Sequence, residues 1–323
     1  MSSELHKNAA ASNMEAFSDE IEPNSLGHNI ATLAIIIIPF IGLLIAVWLS
    51  WQSWVFATDI ALAVVLYVFT GMGVTVGFHR LLTHRSFQTY NWIRGLLTIA
   101  GSMAIEGKPT SWVADHRRHH AHADEPGDPH SPHVGYEQSG LKGTLKGFWH
   151  AHIGWLLTVG SAKEERFVPD LLKDETVMRV SRKFFSVYLP LSFILPAVAG
   201  FVLTGFRWQG ALTGFVWGGL VRMLVTHHVT WSVNSVCHMF GSRPFRTPDK
   251  STNNWLFALP TFGEGWHHNH HAFPTSAFHG LKRWQKALDP SGWAIWWMEK
   301  LGLAWDVKRV TDEQMAKKLA PTS

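Results

Sequence analysis

The sequence is poor in cysteine and in charged residues. Its 323 residues include one cysteine, Cys237, and only 16% are Asp, Glu, Lys or Arg, where about 25% is usual for a soluble domain. One cysteine excludes an intrachain disulfide and a thiolate-based zinc or iron–sulfur site. The low charge argues against an ordinary soluble enzyme, and residues 23–58 hold no Asp, Glu, Lys or Arg at all. Together with 46% hydrophobic residues, this composition indicates a membrane protein.

Nucleic acid is not expected as a partner, although the net charge is +4 and the pI is about 9.2. Lys and Arg are scattered among Trp and Phe and form no nucleic-acid recognition motif. The excess of basic residues is better explained by membrane topology.

Four apolar segments, each near the roughly 20 residues that cross a bilayer, predict an all-α integral membrane protein. Short connections fold them into two hairpins, below which a cytoplasmic helical cap would hold a metal site. The predicted spans cover about residues 29–51, 55–78, 184–206 and 210–230. The predicted divisions are a disordered polar tail (1–28), a membrane domain (29–285) and a C-terminal cytoplasmic tail (286–323).

Positive charges predict the orientation, because Lys and Arg favour cytoplasmic loops. Fourteen lie from Arg80 to Lys183 and eleven from Arg243 onward, whereas the two outer turns hold only Arg207. A multi-pass protein with cytoplasmic termini and a cytoplasmic active site follows, and the bacterial inner membrane and the endoplasmic reticulum both fit. Arg222, inside the fourth span, is expected to snorkel to the headgroups. The 14-residue segment Trp92–Ile105 is expected to be an interfacial or re-entrant helix.

Histidine makes up 20 residues, and nine of them form clusters at the cytoplasmic ends of the hairpins. In HRRHH and HHNHH the spacing i, i+3, i+4 places three rings on one helical face. His79 and His84 lie about 140° apart on an ideal helix, so they converge only if the second span ends or unwinds between them. The candidate ligands are His79, His84, His116, His119, His120, His238, His267, His270 and His271.

Nine imidazoles exceed the six ligands that one transition-metal ion usually takes, so we expect two ions. Iron suits a thiolate-free imidazole site, and zinc and copper are chemically permitted. Acidic side chains near the clusters are expected to orient the ligand rings through their N–H groups. These are Asp115, Asp124, Asp128 and Glu264, and Asn234 lies one helical turn before His238.

Four sequence motifs resemble those of the integral-membrane fatty acid desaturases of the Δ9 type, which include stearoyl-CoA and acyl-lipid desaturases. They are GFHRLLTHRSF (77–87), WVADHRRHHAHAD (112–124), NSVCH (234–238) and GEGWHHNHHAFP (263–274). The resemblance covers about residues 30–285. The family's third box usually reads HNxHH, whereas here His268 takes the Asn position and Asn269 follows.

The resemblance implies a di-iron centre of two Fe ions held by the nine histidines, with Asn234 contributing through water. It also implies O2-dependent insertion of a cis double bond at Δ9 of a saturated chain, carried as acyl-CoA or acyl-lipid. Neither tail contains the HPGG motif of a fused cytochrome b5 domain. The implied electron donor is therefore a separate protein of the cytochrome b5 or ferredoxin type.

An acyl tunnel is expected beside the metals. The nine terminal carbons of an eighteen-carbon chain reach about 16 Å from iron, or about 8 to 12 residues back along a helix from His79. Candidate tunnel residues are therefore Tyr67, Gly71 and, one turn deeper, Ala63. Trp112, which precedes HRRHH, is a further candidate.

Other functions fit the sequence less well. A membrane di-iron hydroxylase, or a desaturase of other regiochemistry, would use the same clusters. A histidine-rich metal transporter would need polar ligands near the membrane midplane, and a bis-histidine haem protein would need paired histidines inside the helices.

Overall fold

The computed structural model describes residues 17, 19–136 and 140–320, and helices dominate it. In chain order the α-helices are α1 (Leu26–Trp51), α2 (Ala57–Met72), α3 (Asn91–Ser102), α4 (Pro109–His122), α5 (Gly140–Trp149), α6 (Trp155–Thr158), α7 (Glu164–Phe167), α8 (Glu175–Arg182), α9 (Leu189–Leu203), α10 (Trp208–Gly214), α11 (Arg222–Ser235), α12 (Trp255–Ala258), α13 (His267–Ala272), α14 (Arg283–Lys286), α15 (Pro290–Lys300) and α16 (Asp312–Lys318). The π-helical segments are Gly73–Thr83, His150–Gly154, Phe184–Tyr188 and Phe215–Val221, and short 3-10 turns are Leu171–Lys173 and Val236–His238.

Three helical runs are long and apolar enough to cross a bilayer: Leu26–Trp51, Ala57–Thr83 and Phe184–Leu203. They overlap the first three predicted spans, so the prediction of a mostly helical protein with membrane-spanning segments is confirmed in this form. In the second run the apolar side chains Val64, Val65 and Val68 are exposed, whereas residues 73–83 are all buried. The first half of this run therefore exposes apolar side chains, and its second half is enclosed by protein.

The fourth predicted span corresponds to an unbroken helical run, Trp208–Ser235, that passes from α10 through a π-helical segment into α11. It contains Arg222, His227 and His228 and is not one of the three strongly apolar runs. Glycines at every fourth position let it pack closely on α9. A Cβ at Gly214 would lie 2.4 Å from the Pro196 carbonyl oxygen, and one at Gly210 would lie 2.6 Å from that of Gly200. Such small-residue stripes are a common basis for helix contact in membranes.

Arg222 does not snorkel, contrary to the sequence-based expectation. Its side chain is buried with 2% of the residue exposed. The guanidinium donates to the carbonyl oxygens of Met103 (3.1 Å) and Gly218 (3.1 Å) and to the Ser192 hydroxyl (2.6 Å). Met103 follows the last residue of α3, so the cation satisfies a helix-end carbonyl and joins α3, α9 and α11.

The two predicted tails contain ordered structure. Of the N-terminal tail, residues 1–16 and 18 lie outside the described residues, but β1 (Ile21–Glu22) pairs antiparallel with β3 (Ser161–Ala162). Glu20 is buried and contacts His122 and Arg166. In the segment predicted to be a C-terminal tail, β4 (Ala304–Trp305) pairs with β2 (Gln88–Thr89). Periodicity did not reveal these two-residue pairings because they depend on distant partners.

Helix α3 occupies most of the segment predicted to be interfacial. Trp92 is 63% exposed and Leu96 is 48% exposed, while Ile93, Thr98 and Ala100 are buried. At 12 residues the helix is too short to cross a bilayer, and one apolar face is open, as in interfacial helices.

Candidate metal centre

A π-helix brings the first two candidate ligands together. From Gly73 to Thr83 the second run is π-helical, a geometry in which each N–H bonds to the carbonyl five residues earlier. The His84 N–H accordingly donates to the His79 carbonyl over 3.1 Å. Residues i and i+5 then share a face, and the ring centroids of His79 and His84 lie 4.8 Å apart. The unwinding that their convergence requires is therefore present as a change of helix type.

The other ligand candidates come from α4, α13 and the turn after α11. In α4 the Nε2 atoms of His116 and His120 are 3.1 Å apart, and in α13 those of His267 and His271 are also 3.1 Å apart. Both pairs have the i, i+4 spacing that places rings on one face. His238 lies in the 3-10 turn that ends the fourth run.

The nine candidate ligands lie in two groups, in each of which one nitrogen per ring is within 4.8 Å of the others. We call them the five-histidine group and the four-histidine group. The five-histidine group contains His79, His84, His116, His120 and His270. The four-histidine group contains His119, His238, His267 and His271. Each group draws on three separate segments, so only the folded chain brings its members together.

The facing nitrogens have the geometry of metal ligands. His119 Nε2 and His271 Nε2 are 3.3 Å apart, and His119 Nδ1 lies 3.0 Å from Asp128 Oδ1. These contacts assign the tautomer of His119: its Nδ1 donates a hydrogen to the Asp128 carboxylate, so its Nε2 presents a lone pair toward His271. Two nitrogens that are each about 2.1 Å from one ion and at right angles lie about 3.0 Å apart. The residues therefore fit metal ions at these two places.

Burial favours the neutral, metal-binding form of several of these imidazoles. It lowers the pKa of His116, His120 and His267 well below the usual range, and neighbouring rings lower it further. Neutral imidazole is the state that ligates a metal ion.

Three carboxylates stand behind the four-histidine group. Asp128 contacts His119, Asp124 Oδ2 lies 2.9 Å from His238 Nδ1, and Asp249 Oδ2 lies 3.7 Å from His271 Nδ1. Burial by itself would raise the pKa of Asp124 and Asp128, but the adjacent histidines lower it overall, so both are anions. Such partners orient ligand rings and increase their basicity. Sequence analysis singled out Asp124 and Asp128 but not Asp249, whose approach to His271 depends on a loop.

One carboxylate stands behind the five-histidine group. Glu264 Oε2 lies 2.7 Å from His79 Nδ1 and 3.1 Å from His279 Nδ1, and Oε1 lies 3.3 Å from Arg80 Nη2. Burial by itself would raise the pKa of Glu264, but His279, His79 and Arg80 hold it well below its usual range. Arg80 also contacts Asp289 at 2.9 Å. Local spacing contains no signal for the roles of His279 and Asp289.

Asp115 does not orient a ligand ring, unlike the sequence-based expectation. Its Oδ1 accepts a hydrogen bond from the Ala162 N–H over 2.8 Å. Asp115 precedes His116, so its side chain leaves α4 about 100° away from that ring. His268 also points away from both groups, because its Nε2 lies 3.1 Å from the Phe245 amide nitrogen.

A largely apolar cavity opens beside the histidines. Its walls include Val74, Val229 and Val233 together with His79, His116, His119 and His267. Trp112 stacks on His116 with ring centroids 5.1 Å apart, and Asn234 also lines the space. The cavity thus leads from apolar walls directly to members of both groups.

Tyr67 and Gly71 line the deep end of this cavity, whereas Ala63 is not among the described residues that line it. The Tyr67 hydroxyl donates to the Pro260 carbonyl oxygen. A Cβ at Gly71 would lie 2.2 Å from the ring of Phe262, so only glycine accommodates this ring. Pro260 and Phe262 come from a distant segment and complete the wall.

Glu106 lies behind the cavity wall and was not anticipated from the sequence. Its carboxylate accepts hydrogen bonds from Trp112 Nε1 (3.1 Å) and the Thr230 hydroxyl (2.8 Å). Burial raises the pKa of Glu106 to about 7. Trp112 and Thr230 both line the cavity, so Glu106 fixes the shape of this wall.

The fold and the site define a helical membrane protein with a histidine-rich candidate metal site beside an apolar cavity. The model of the fatty acid desaturase family matches residues 49–298. The chain belongs to the fatty acid desaturase family, and it is an oxidoreductase of this type.

Several curated proteins are similar along most of their length. The hex-5-enoyl-[acyl-carrier protein] acetylenase of Moorena producens is 42% identical, over 88% of this chain and 88% of that protein. The sn-1 stearoyl-lipid 9-desaturase of Anabaena variabilis is 38% identical, over 85% and 92%. Delta-9 acyl-lipid desaturase 1 of Arabidopsis thaliana is 36% identical, over 78% and 76%.

Proposed function

We propose that this desaturase inserts a cis double bond at the ninth carbon of a saturated acyl chain, using O2 and two Fe ions. The observation that carries the proposal is the apolar cavity that ends at both histidine groups. Similarity to stearoyl-lipid 9-desaturases supports the position of the double bond.

The nine histidines would hold the two ions, one in each group. Bound iron would supply the oxidising power, from O2 and two external electrons, that removal of hydrogen from an unactivated methylene requires. The chain itself positions the substrate. Val74, Val229 and Val233 exclude water from the acyl chain, and Trp112 is held against His116 by its bond to Glu106.

The remaining parts of the proposal concern topology and partners. Four spans in two hairpins would place the termini and both histidine groups on the cytoplasmic side, which the distribution of Lys and Arg supports. There the centre would receive electrons from a separate donor of the cytochrome b5 or ferredoxin type.

Expression in a host that lacks its own desaturase tests the reaction. We expect new cis-Δ9 acyl chains, measured by mass spectrometry with double-bond localisation, and loss of these chains together with iron in His119→Ala. Separation of the acyl-CoA and lipid fractions identifies the carrier. A wild-type chain that makes no unsaturated product would contradict the proposal.

A second candidate reaction is desaturation of an existing double bond to a triple bond. Its support is the 42% identity to an acetylenase. The same profiling distinguishes the two, because a triple bond lowers the product mass by two further hydrogens. A hydroxylated product would instead indicate the hydroxylase alternative.

The deep end of the cavity is proposed to set chain length. Replacing Tyr67 with Ala removes the phenol and its bond to Pro260, so we expect the product profile to shift toward longer chains. Val65→Ala is the matched control, because Val65 is 62% exposed on the lipid side of the same helix. An unchanged profile in Tyr67→Ala would contradict this role.

A further inference from the structure

Residues 255–263, which precede the third histidine motif, form a loop whose two ends are held together. Its two ends are joined where the Asn254 N–H donates to the Gly265 carbonyl over 2.8 Å and where Asn253 pairs with Trp266. Between these ends, residues 255–263 contain no charged side chain. The loop leaves the metal-binding region and returns to it at Glu264.

The two faces of this loop have different surroundings. Pro260, Thr261 and Phe262 line the cavity. On the opposite face, Trp255 is 61% exposed, Leu256 61% and Leu259 55%. This loop is therefore a single layer of residues between the cavity and the outer surface of the protein.

Contacts with the spanning helices indicate that this loop lies at the depth of the hydrocarbon layer. Its Pro260 carbonyl accepts the hydrogen bond of Tyr67, the eleventh residue of the run Ala57–Thr83. At about 1.5 Å per residue, Tyr67 lies about 15 Å from the outer end of this run, which is half of the roughly 30 Å hydrocarbon layer. The neighbouring Val64 and Val68 are exposed on the same helix.

The fourth helical run gives a second measure of depth. The ring of His228 contacts that of Phe40, with centroids 5.2 Å apart. Phe40 is the fifteenth residue of the 26-residue helix α1, close to its middle. Val229, which follows His228, lines the cavity. The cavity, which Val229 lines, therefore reaches the level of the middle of α1.

We propose that residues 255–262 dip into the bilayer and form a lateral gate, through which an acyl chain still attached to a membrane glycerolipid enters the cavity. The inference rests on the proposed function and specifies its substrate as lipid-borne. Opening the gate requires loss of the Tyr67–Pro260 hydrogen bond and withdrawal of the Phe262 ring from Gly71. No charge is moved, and an acyl chain entering sideways would never cross water.

The position of the gate is tested with spin labels on the full-length protein in phosphatidylcholine liposomes. Leu256→Cys is labelled with a nitroxide and compared with Val65→Cys, exposed on α2, and Gln314→Cys, exposed on α16. The native Cys237 is fully buried, and the unsubstituted protein controls for its labelling. We expect Leu256 to resemble Val65, with loss of collisions with a water-soluble nickel chelate. Collisions equal to those at Gln314 would overturn the placement.

Passage through the gate is tested with a phosphatidylcholine that carries a diazirine on its acyl chain. In the variant Tyr67→Cys/Pro260→Cys, a cleavable bis-maleimide locks the gate, and each single variant controls for reagent attachment. We expect photolabelling of Val229 and Val233 in the open protein, its loss after cross-linking and its return after cleavage. Val225, 45% exposed on the outer side of the same helix, serves as the internal reference and keeps its label throughout.

Cavity labelling that survives cross-linking would overturn the gate, and so would labelling by a diazirine acyl-CoA with none by the phosphatidylcholine. Photolabelling needs no turnover, so failure of the desaturase proposal, seen as absence of product, is distinguishable from failure of the gate.

Discussion

The two histidine groups differ in how their ligands are supported. The four-histidine group has one imidazole fewer, but Asp124, Asp128 and Asp249 stand behind three of its rings. Among the described residues, Glu264 is the anion that contacts the five-histidine group, and it does so through His79. Because carboxylate partners increase ligand basicity, the anions compensate for the missing ring. Two ions held in this way would be chemically unequal.

Removing one ligand from each group tests this comparison with the largest effect. His267→Ala leaves three imidazoles in its group, and His84→Ala leaves four in the other. Loss of an outer partner alone costs about 10–100-fold in metal affinity or activity. We therefore expect His267→Ala, which removes a ligand itself, to retain less than about 1% of the activity and to lose one ion by elemental analysis. His84→Ala should lose less metal. The control is His268→Asn, whose ring faces neither group, and equal metal loss in both ligand variants would break the comparison.

Removing an anion is expected to have an intermediate effect. Asp128→Asn takes the negative charge from behind His119, so metal affinity of the four-histidine group should fall about 10–100-fold, measured by competition with a chelator. Asp115→Asn is the matched control on the same helix, because Asp115 contacts the Ala162 amide and no ligand. Unchanged affinity in Asp128→Asn would refute the role of the anion.

Glu264→Gln is the counterpart in the five-histidine group. Four of its five rings do not contact Glu264, so the affinity loss should be about tenfold, at the low end of outer-partner effects. A loss greater than that of Asp128→Asn would reverse the comparison, because Glu264 would then matter more to its group than Asp128 does to the four-histidine group.

The smallest effect concerns Glu106, which lies outside both groups. Its pKa is raised from 4.5 to about 7 in the folded protein, so the unfolded chain releases this proton first as pH rises. Stability therefore falls between pH 4.5 and 7. Glu106→Gln cannot ionise and should be more stable at pH 8 by about 3 kcal/mol, with no gain at pH 4. Thermal unfolding in detergent at both pH values measures this, and a gain at pH 4 as large as at pH 8 would exclude ionisation as the cause.

Local periodicity was sufficient to predict the three long apolar helices and to select the candidate ligands. Apolar runs reveal spans because bilayer thickness sets their length, and the spacing of HRRHH and HHNHH reveals one-faced clusters because an α-helix repeats every 3.6 residues. The spacing of His79 and His84 also showed that the second helix must change its geometry. The particular change, a π-helix of 11 residues, was not visible in the pattern.

The sequence by itself therefore determined the class of protein and its nine candidate ligands. Only the tertiary structure decided how those ligands divide, since neighbouring His119 and His120 lie in different groups. It also decided which anions support them and that Pro260 and Phe262 close the cavity against Tyr67 and Gly71. The physical reason is that each of these contacts joins segments far apart in the chain, whose approach depends on packing rather than on local spacing.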